Sequence, residues 1–593
     1  MIPLIGFAPD IDTTTPGAIT DCTNVIPTLR GMAGAPTPLD VGVDALAAEC
    51  HGAAVLTRLD QQRRLFAGTQ TRVYELVGTS YTDVSRVTTM ATPAAATGVG
   101  SGTGGTLAAA SYYTKIVAVD ASGNMTPAGA ESAVVTTTGT TSSIAYTWGA
   151  IAGAASYRIY YGTAAGAENK YYTSAAASYT LTDNAGTAGT PPTSGVIPYT
   201  GSSENRWRFA QFGNASLACN QTEQIQYSTS GAFADITQSP KASIIETASG
   251  FVMAFGLNAV YVGGDRPDAW ACSNIYDHLT WTPSAGVNQA AFGYLLDTPG
   301  DIRAAKRIGK DVAVYKERSL YLGRYVGPPV IWQWDLVAAN AGAISQEAVI
   351  DTGTAHLFIG RDDFWLFDGS RPRPIGAPVK EWFFSHSDST YRYRIRSYFD
   401  QFKNIAWWFY PTPGSNGALT DALVYNLNND RWGKVAIPVQ SVLMYQGAET
   451  TYDNWPPGPS VTFDTIIDLP FDSLAFDTDS SALGLYGADL KIKTMTGPSG
   501  DAMIMTGDMG DDTQYTTLTQ VAPHFTIRPP ASSMTHFTRN YAGDALESRG
   551  TTTLTGNRYD ALASGRQHRL QLNMTGDFEI VGIEPTAIPD GAE

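Results

Sequence analysis

Charge is scarce in these 593 residues. Asp, Glu, Lys and Arg make up 16% of the chain, against roughly a quarter in an average globular protein. The 55 acidic residues outnumber the 38 basic ones, giving a net charge of −17. No Lys/Arg stripe runs along the sequence, which argues against a surface built to grip nucleic acid through its phosphates. Long apolar runs are missing too. The longest, Ile405-Ala406-Trp407-Trp408-Phe409-Tyr410, has the size of a buried strand and not of a membrane span. The opening MIPLIGFAPDID lacks the charged head and apolar stretch of an export signal, so folding in a cytoplasm is expected. The four cysteines, Cys22, Cys50, Cys219 and Cys272, are too few and scattered for a disulfide framework or a zinc site. They are expected to be reduced and buried.

Ready-made chemistry is lacking as well. There is no G-x-S-x-G elbow, H-E-x-x-H pair, phosphate-binding loop or dinucleotide fingerprint. The seven histidines, His51, His278, His356, His386, His524, His536 and His568, never fall two to four residues apart, so a metal site would need long-range convergence. Acidic clusters occur at Asp362-Asp363, 472–479 and 508–512. The first sits in a hairpin turn, where Asp is favoured for backbone reasons alone. FDTDSSALG resembles a calcium loop but lacks its mid-loop Gly and closing Glu. Solvated turns account for these clusters better than a carboxylate active site. The expectation is a protein that is not an enzyme and needs no cofactor or metal.

What is abundant points to β structure: Gly 59, Tyr 30 and Trp 12. A hairpin pattern recurs, with a short apolar strand, a Gly or charged turn, then a strand carrying an aromatic. LFAGTQTRVYELVG (65–78), VMAFGLNAVYVGG (252–264), VAVYKERSLYLGR (312–324) and HLFIGRDDFWLFDG (356–369) share it, and LGLYGADLKI (483–492) follows more loosely. A lone hairpin cannot bury its apolar face, so repetition at this spacing predicts radial packing in a β-propeller of five or six irregular blades. Unrelated hairpins in a sandwich are the competing account. DALVYNLNNDRWGKV (421–435) adds two strands, with Trp432 packed between sheets.

Between the first two hairpins, residues 92–200 turn rich in Ala, Gly, Thr, Ser and Tyr. GVGSGTGG (98–105) and TAGTPPTSG (187–195) read as flexible hinges. Inside, Tyr157, Ile159 and Tyr161 alternate and Trp148 is placed for a sandwich core. This stretch resembles a fibronectin type III or immunoglobulin-like module, through Trp148, SYRIYYG (156–162) and YTL (179–181). The Trp strand follows the strand at 112–120, where in that family it precedes it, so the module is either permuted or a different small sandwich. The chain is thus an all-β protein: an N-terminal segment and first blade (1–91), an inserted β-sandwich (92–200), the remaining blades (201–500) and a C-terminal β region (501–593).

Aromatic and basic surfaces complete the reading. Trp407 and Trp408 are adjacent, so their side chains point to opposite faces and only one is expected deep in a core. Trp332 and Trp334 share a face beside Pro328-Pro329, with core packing favoured over sugar stacking. YRYRIRSYF (391–399) reads as a strand with Arg392, Arg394 and Arg396 on one face. Such a face contacts a phosphate backbone or, more commonly, pairs with acidic groups at an oligomer interface.

The opening DIDTTTPGAITDCTNVIPTLRGMAGAPTPLDVG (10–42), the hairpins at 66–76 and 358–369, YNLNNDRW (425–432), TGDMGDD followed by VAPHF (506–525) and the closing SGRQHRLQLNMTGDFEIVGIE (564–584) resemble tail hub proteins of short-tailed bacteriophages, also called nozzle, tail tubular protein B-like or packaged-DNA stabilisation proteins. The resemblance covers most of the chain outside the insertion. It implies a structural virion protein forming a six-fold ring beneath portal and adaptor proteins, carrying tail fibres or spikes, assembled in a host cytoplasm. Such a ring holds the genome end and conducts it during ejection without specific binding. Six copies at −17 give about −100, a lumen along which DNA slides without sticking. Asp508, Asp511 and Asp512 are the expected lumen-facing residues, and the inserted sandwich is expected on the outside. The alternative is a carbohydrate-binding or glycoside-hydrolysing propeller; a host adhesin or scaffold is a third reading, disfavoured by the missing export signal.

Overall fold

A blade strand is apolar on both faces because a neighbour covers each one. In Asp311–Lys316, Val312 and Val314 pack toward Phe251, Met253 and Phe255. Ala313 and Tyr315 pack the other way, toward Val349 and Phe358. This double burial turns the hairpin repeat into a ring. The computed structural model describes residues 1–121, 123–446, 481–510, 513–541 and 543–591, and among them seven sets of four antiparallel strands form a β-propeller. Blades one to five occupy 52–83, 208–235, 241–294, 302–338 and 349–374; blade six lies within 396–439. Blade seven contains Ser441–Gln446, Ser481–Tyr486 and Ile492–Ser499, and its fourth strand is Pro36–Asp40, from the other end of the chain. The first strand of each blade lies against that of the next, and the seventh against the first. The count is seven, not the five or six expected. The excess arises because blade two and most of blade six carry no copy of the hairpin pattern.

Four of the five hairpin copies form the second and third strands of their blades. The copy at 252–264 does not. Phe251–Ala259 runs straight through it, and VYV becomes a 3-10 turn, Val260–Val262. Gly256, read as the turn, is a β-bulge at φ +62° between Phe255 and Leu257. The reversal occurs at Gly263, φ +86°.

Residues 1–34 do not belong to the first blade. They are woven with residues 501–591 into a second β body of two sheets. One carries Val25–Pro27, Met32–Gly34, Glu579–Gly591, Tyr515–Ile527 and Tyr559–Gly565; the other carries Gly6–Phe7, Ala18–Thr23, Asp501–Thr506, Gln567–Thr575, Ala531–Arg539 and Glu547–Thr553. The first sheet continues into blade six where Val25 pairs with Lys434. Ile19, Met32, Ile504, Leu570 and Ile580 share one core with Phe364, Trp408 and Trp432 of blades five and six. Trp407, on the other face of the same strand, enters a separate core. Both tryptophans are therefore buried, at 5% and 0% exposure, because the blade-six sheet is covered on each side.

The insertion is a sandwich of a three-stranded and a five-stranded sheet. Tyr146, Ile159 and Tyr161 fill its core; Trp148 is half-buried at the margin, edge-on to Tyr157 at 5.4 Å. The glycine run is not a hinge, since Thr97–Ser101 is a paired strand. Entry and exit are tied together by Thr88 N to Gly195 O (2.9 Å), Ile197 N to Arg86 O (2.8 Å) and a Val87–Val196 bridge. Tyr199, inside the expected boundary, belongs to the propeller, where its hydroxyl donates to Gln226 Oε1 at 2.6 Å beneath Trp207. Excising residues 90–193 and joining the stem is therefore expected to change propeller stability by less than about 1 kcal/mol. A deletion extended through Tyr199 costs about 3–5 kcal/mol more, measured by urea unfolding followed by tryptophan fluorescence. No helix among the described residues is long and apolar enough to cross a membrane.

Candidate functional site

The first strands converge on the propeller axis, and the charged residues there come from blades far apart in sequence. Arg208 opens Arg208–Phe212 of blade two, Glu246 lies in Lys241–Ala248 of blade three, and Lys306 in Ile302–Ile308 of blade four. Glu347 sits in the 3-10 turn Gln346–Ala348 that leads into blade five, and Arg396 opens Arg396–Asp400 of blade six. Together they line a cavity of about 250 Å³. Alternation in RWRF explains part of the placement. Trp207 is buried between blades one and two, while Arg206 and Arg208 face the axial cavities.

Glu347 is the hub of the network. It accepts from Arg208 Nε at 2.8 Å and Nη2 at 3.2 Å, and Arg396 Nη1 lies 3.5 Å away. Arg208 also donates to Ser243 O, and Arg396 to His51 O at 3.2 Å. Gln346 fixes the turn by bonding both backbone groups of Ala305, at 2.7 and 2.8 Å. Burial pushes the Glu347 carboxyl up, but Arg208 and Arg396 overcome it and leave it at about 2. Glu246 goes the other way, because burial outweighs the attraction of Lys306 and raises it. The network fills the axis with paired charge around a small cavity.

At one mouth, two further cavities of about 350 and 380 Å³ are both lined by Arg206, Arg394 and Arg396. Glu204 accepts from Arg394 Nε at 3.1 Å and from Tyr393 Oη at 2.6 Å. The three arginines expected on one strand face are thus separated by the fold. Arg392–Arg394 is a 3-10 turn, and the strand begins only at Arg396. Arg392 donates to Ser387 Oγ (2.9 Å) and Phe384 O (3.1 Å), closing the helix Lys380–His386. That contact holds the chain in a turn where alternation alone predicted extension. Arg396 is 5% exposed and paired with Glu347 of its own chain.

Asp508 is not on a lumen-facing loop. Its side chain is 1% exposed, clamped by Arg539 and by Arg569 at 2.8 and 3.1 Å. Asp511 and Asp512, and the acidic cluster at 472–479, lie outside the described residues. Asp363, at its hairpin turn, accepts from the backbone N–H groups of Phe364 and Gly376, as the turn reading requires. Trp332 is buried, and Trp334 stacks beside it and 5.3 Å from Trp270, so neither is a free sugar platform. The four cysteines are free and buried. His536 and His568, 32 residues apart, meet at 2.9 Å in the second β body, a convergence their spacing did not reveal.

No protein-family model and no curated protein sequence matches this chain. Among solved structures, PorZ, a surface component of the type-IX secretion system of Porphyromonas gingivalis, is similar over 68% of this chain and 40% of its own, at 11% identity and a TM-score of 0.27. AztD from Citrobacter koseri is similar over 55% of this chain and 82% of its own, at 11% identity and a TM-score of 0.26. Apo AztD from the same organism matches at 10% identity and 0.24. Likeness at that level assigns no family. The all-β propeller is read from the strand pairing itself.

Proposed function

We propose that this chain is a structural subunit of a tail hub or nozzle ring of a short-tailed bacteriophage, closing the exit of the packaged genome and conducting it during ejection. The observation that carries the reading is the division of labour between the two β bodies. The propeller axis is filled by Arg208, Glu347 and Arg396, so a conduit for DNA would run between copies of the chain and not through one. The second body offers the means. Its strands Tyr515–Ile527 and Glu579–Gly591 are 13 residues each, about 44 Å long if straight. Toward one end of this strand pair Ile588 is 55% exposed, and Leu562 of the neighbouring strand is 85% exposed, apolar groups that a neighbouring copy would cover. The net charge of −17 supports a surface past which DNA slides. On this reading the portal-side adaptor, tail fibres or spikes and five further copies are the partners, the virion is the location, and no residue acts as a catalyst.

The test is native mass combined with electron-microscope class averages of the purified protein. A closed ring of about six copies with a channel between subunits is expected. A protein that stays monomeric at every concentration, alone and with its adaptor, overturns the reading. One feature favours a carbohydrate-binding propeller instead: a groove of about 530 Å³ between blades two and three, lined by Phe212, Asn214, His278 and the 81%-exposed Tyr276. Binding in a glycan screen, lost in Tyr276→Ala, would support that second reading.

A further inference from the structure

We propose that the mouth of the propeller channel is a binding site for a small phosphate-bearing anion, held by Arg206, Arg394 and Arg396. The inference rests on the propeller alone and stands whether or not the chain forms a ring. The three arginines come from different elements: one from the approach to blade two, one from a 3-10 turn and one from the first strand of blade six. They converge on the same cavity of about 380 Å³, and with Arg208 they line the adjoining one of about 350 Å³. Those volumes suit a small ligand.

The charges at this mouth do not balance pairwise. Arg394 has Glu204, whereas Arg208 and Arg396 share Glu347. Asp301 and Arg303 offset each other at 3.5 Å, and Glu49 lies on the rim. Arg206 makes no ion pair among the described residues. Its Nη1 donates instead to the carbonyls of Ser203 and Asn205, which fixes the guanidinium in place without neutralising it. Burial first, and then the neighbouring Arg396 and Arg394, hold its proton affinity down to about 10, with Glu204 and Glu347 offsetting only part of the effect. His51, 3.5 Å from Arg206, is pushed toward its neutral form mainly by burial, with Arg206 adding to the effect. Guanidinium forks arriving from several directions match an anion with more acceptor oxygens than the two of a single carboxylate, and a phosphate group supplies three or four.

Thermal unfolding of the full-length protein tests this, with inorganic phosphate compared against chloride at equal ionic strength. The expected result is a saturable rise in Tm of about 2–4 °C with phosphate only, absent in Arg206→Gln and Arg394→Gln. In phosphate-free buffer Arg206→Gln is expected to melt at or above the parent temperature, because it relieves the repulsion; loss of a merely structural arginine would lower it. A nucleoside monophosphate serves as the second arm. A larger shift than with inorganic phosphate identifies a phosphate ester as the ligand, and an equal shift identifies the free ion. Equal shifts with phosphate and chloride, or a phosphate shift that survives in Arg206→Gln, overturn the proposal.

Discussion

Replacing Glu347 by Gln lowers the stability of the propeller by about 3 kcal/mol. The cost comes less from the lost attraction than from what remains. Arg208 and Arg396 both lean on this one carboxylate, and without it two guanidinium groups face each other in a space largely closed to water. A double variant, Glu347→Gln with Arg208→Gln, should recover part of the loss, since it removes one of the stranded charges. The effect depends on pH with a definite sign. The folded carboxyl sits at about 2, below its ordinary 4.5, so its contribution is complete above pH 4.5 and fades as pH falls toward 2. Urea midpoints for parent and variant should therefore differ most near neutrality and converge in acid. A constant gap across that window would sink the assignment.

Asp508→Asn is expected to be at least as damaging, by about 3–5 kcal/mol, but in the second β body. Asp508 lies between two strands, where Arg539 and Arg569 clamp it, and its backbone N–H donates to Thr13 O at 2.7 Å. Through its backbone N–H this residue touches the first residues of the chain, while its side chain holds two strands of the last sheet together. An amide keeps the shape but not the charge, so both arginines lose their ion pair with Asp508 in a buried place. If Asp508 lay on a solvated loop, as its acidic neighbours in sequence suggest, the substitution would fall within about 0.5 kcal/mol. Guanidinium unfolding read by near-ultraviolet circular dichroism separates the two outcomes.

The propeller was legible because a blade strand's needs are local: alternation, a turn residue and an aromatic beside Val73, Leu320 or Phe364. Blade two was illegible because its third strand, Gln226–Ser228, is only three residues long and its aromatic Tyr227 follows a Gln, not an apolar residue. The channel network could not be read at all. Arg208, Glu347 and Arg396 lie 139 and 49 residues apart, and only ring closure brings them together. Arg392 to Arg396 misled because alternation describes an extended backbone. It does not register that a guanidinium will close a helix that ends six residues upstream of its own turn. Trp407 and Trp408 misled for the opposite reason, since the sequence cannot show that a strand has a core on both sides.

The strand Pro36–Asp40 completes blade seven against Ile492–Ser499, and that pairing imposes an order in time. On the ribosome Pro36–Asp40 emerges while its partner strand is still roughly 450 residues from being made. At about 5–20 residues per second it waits on the order of half a minute or more. Blades one to five can stack in the meantime, but the circle stays open. The propeller is locked last, by a strand made before the rest of its blades.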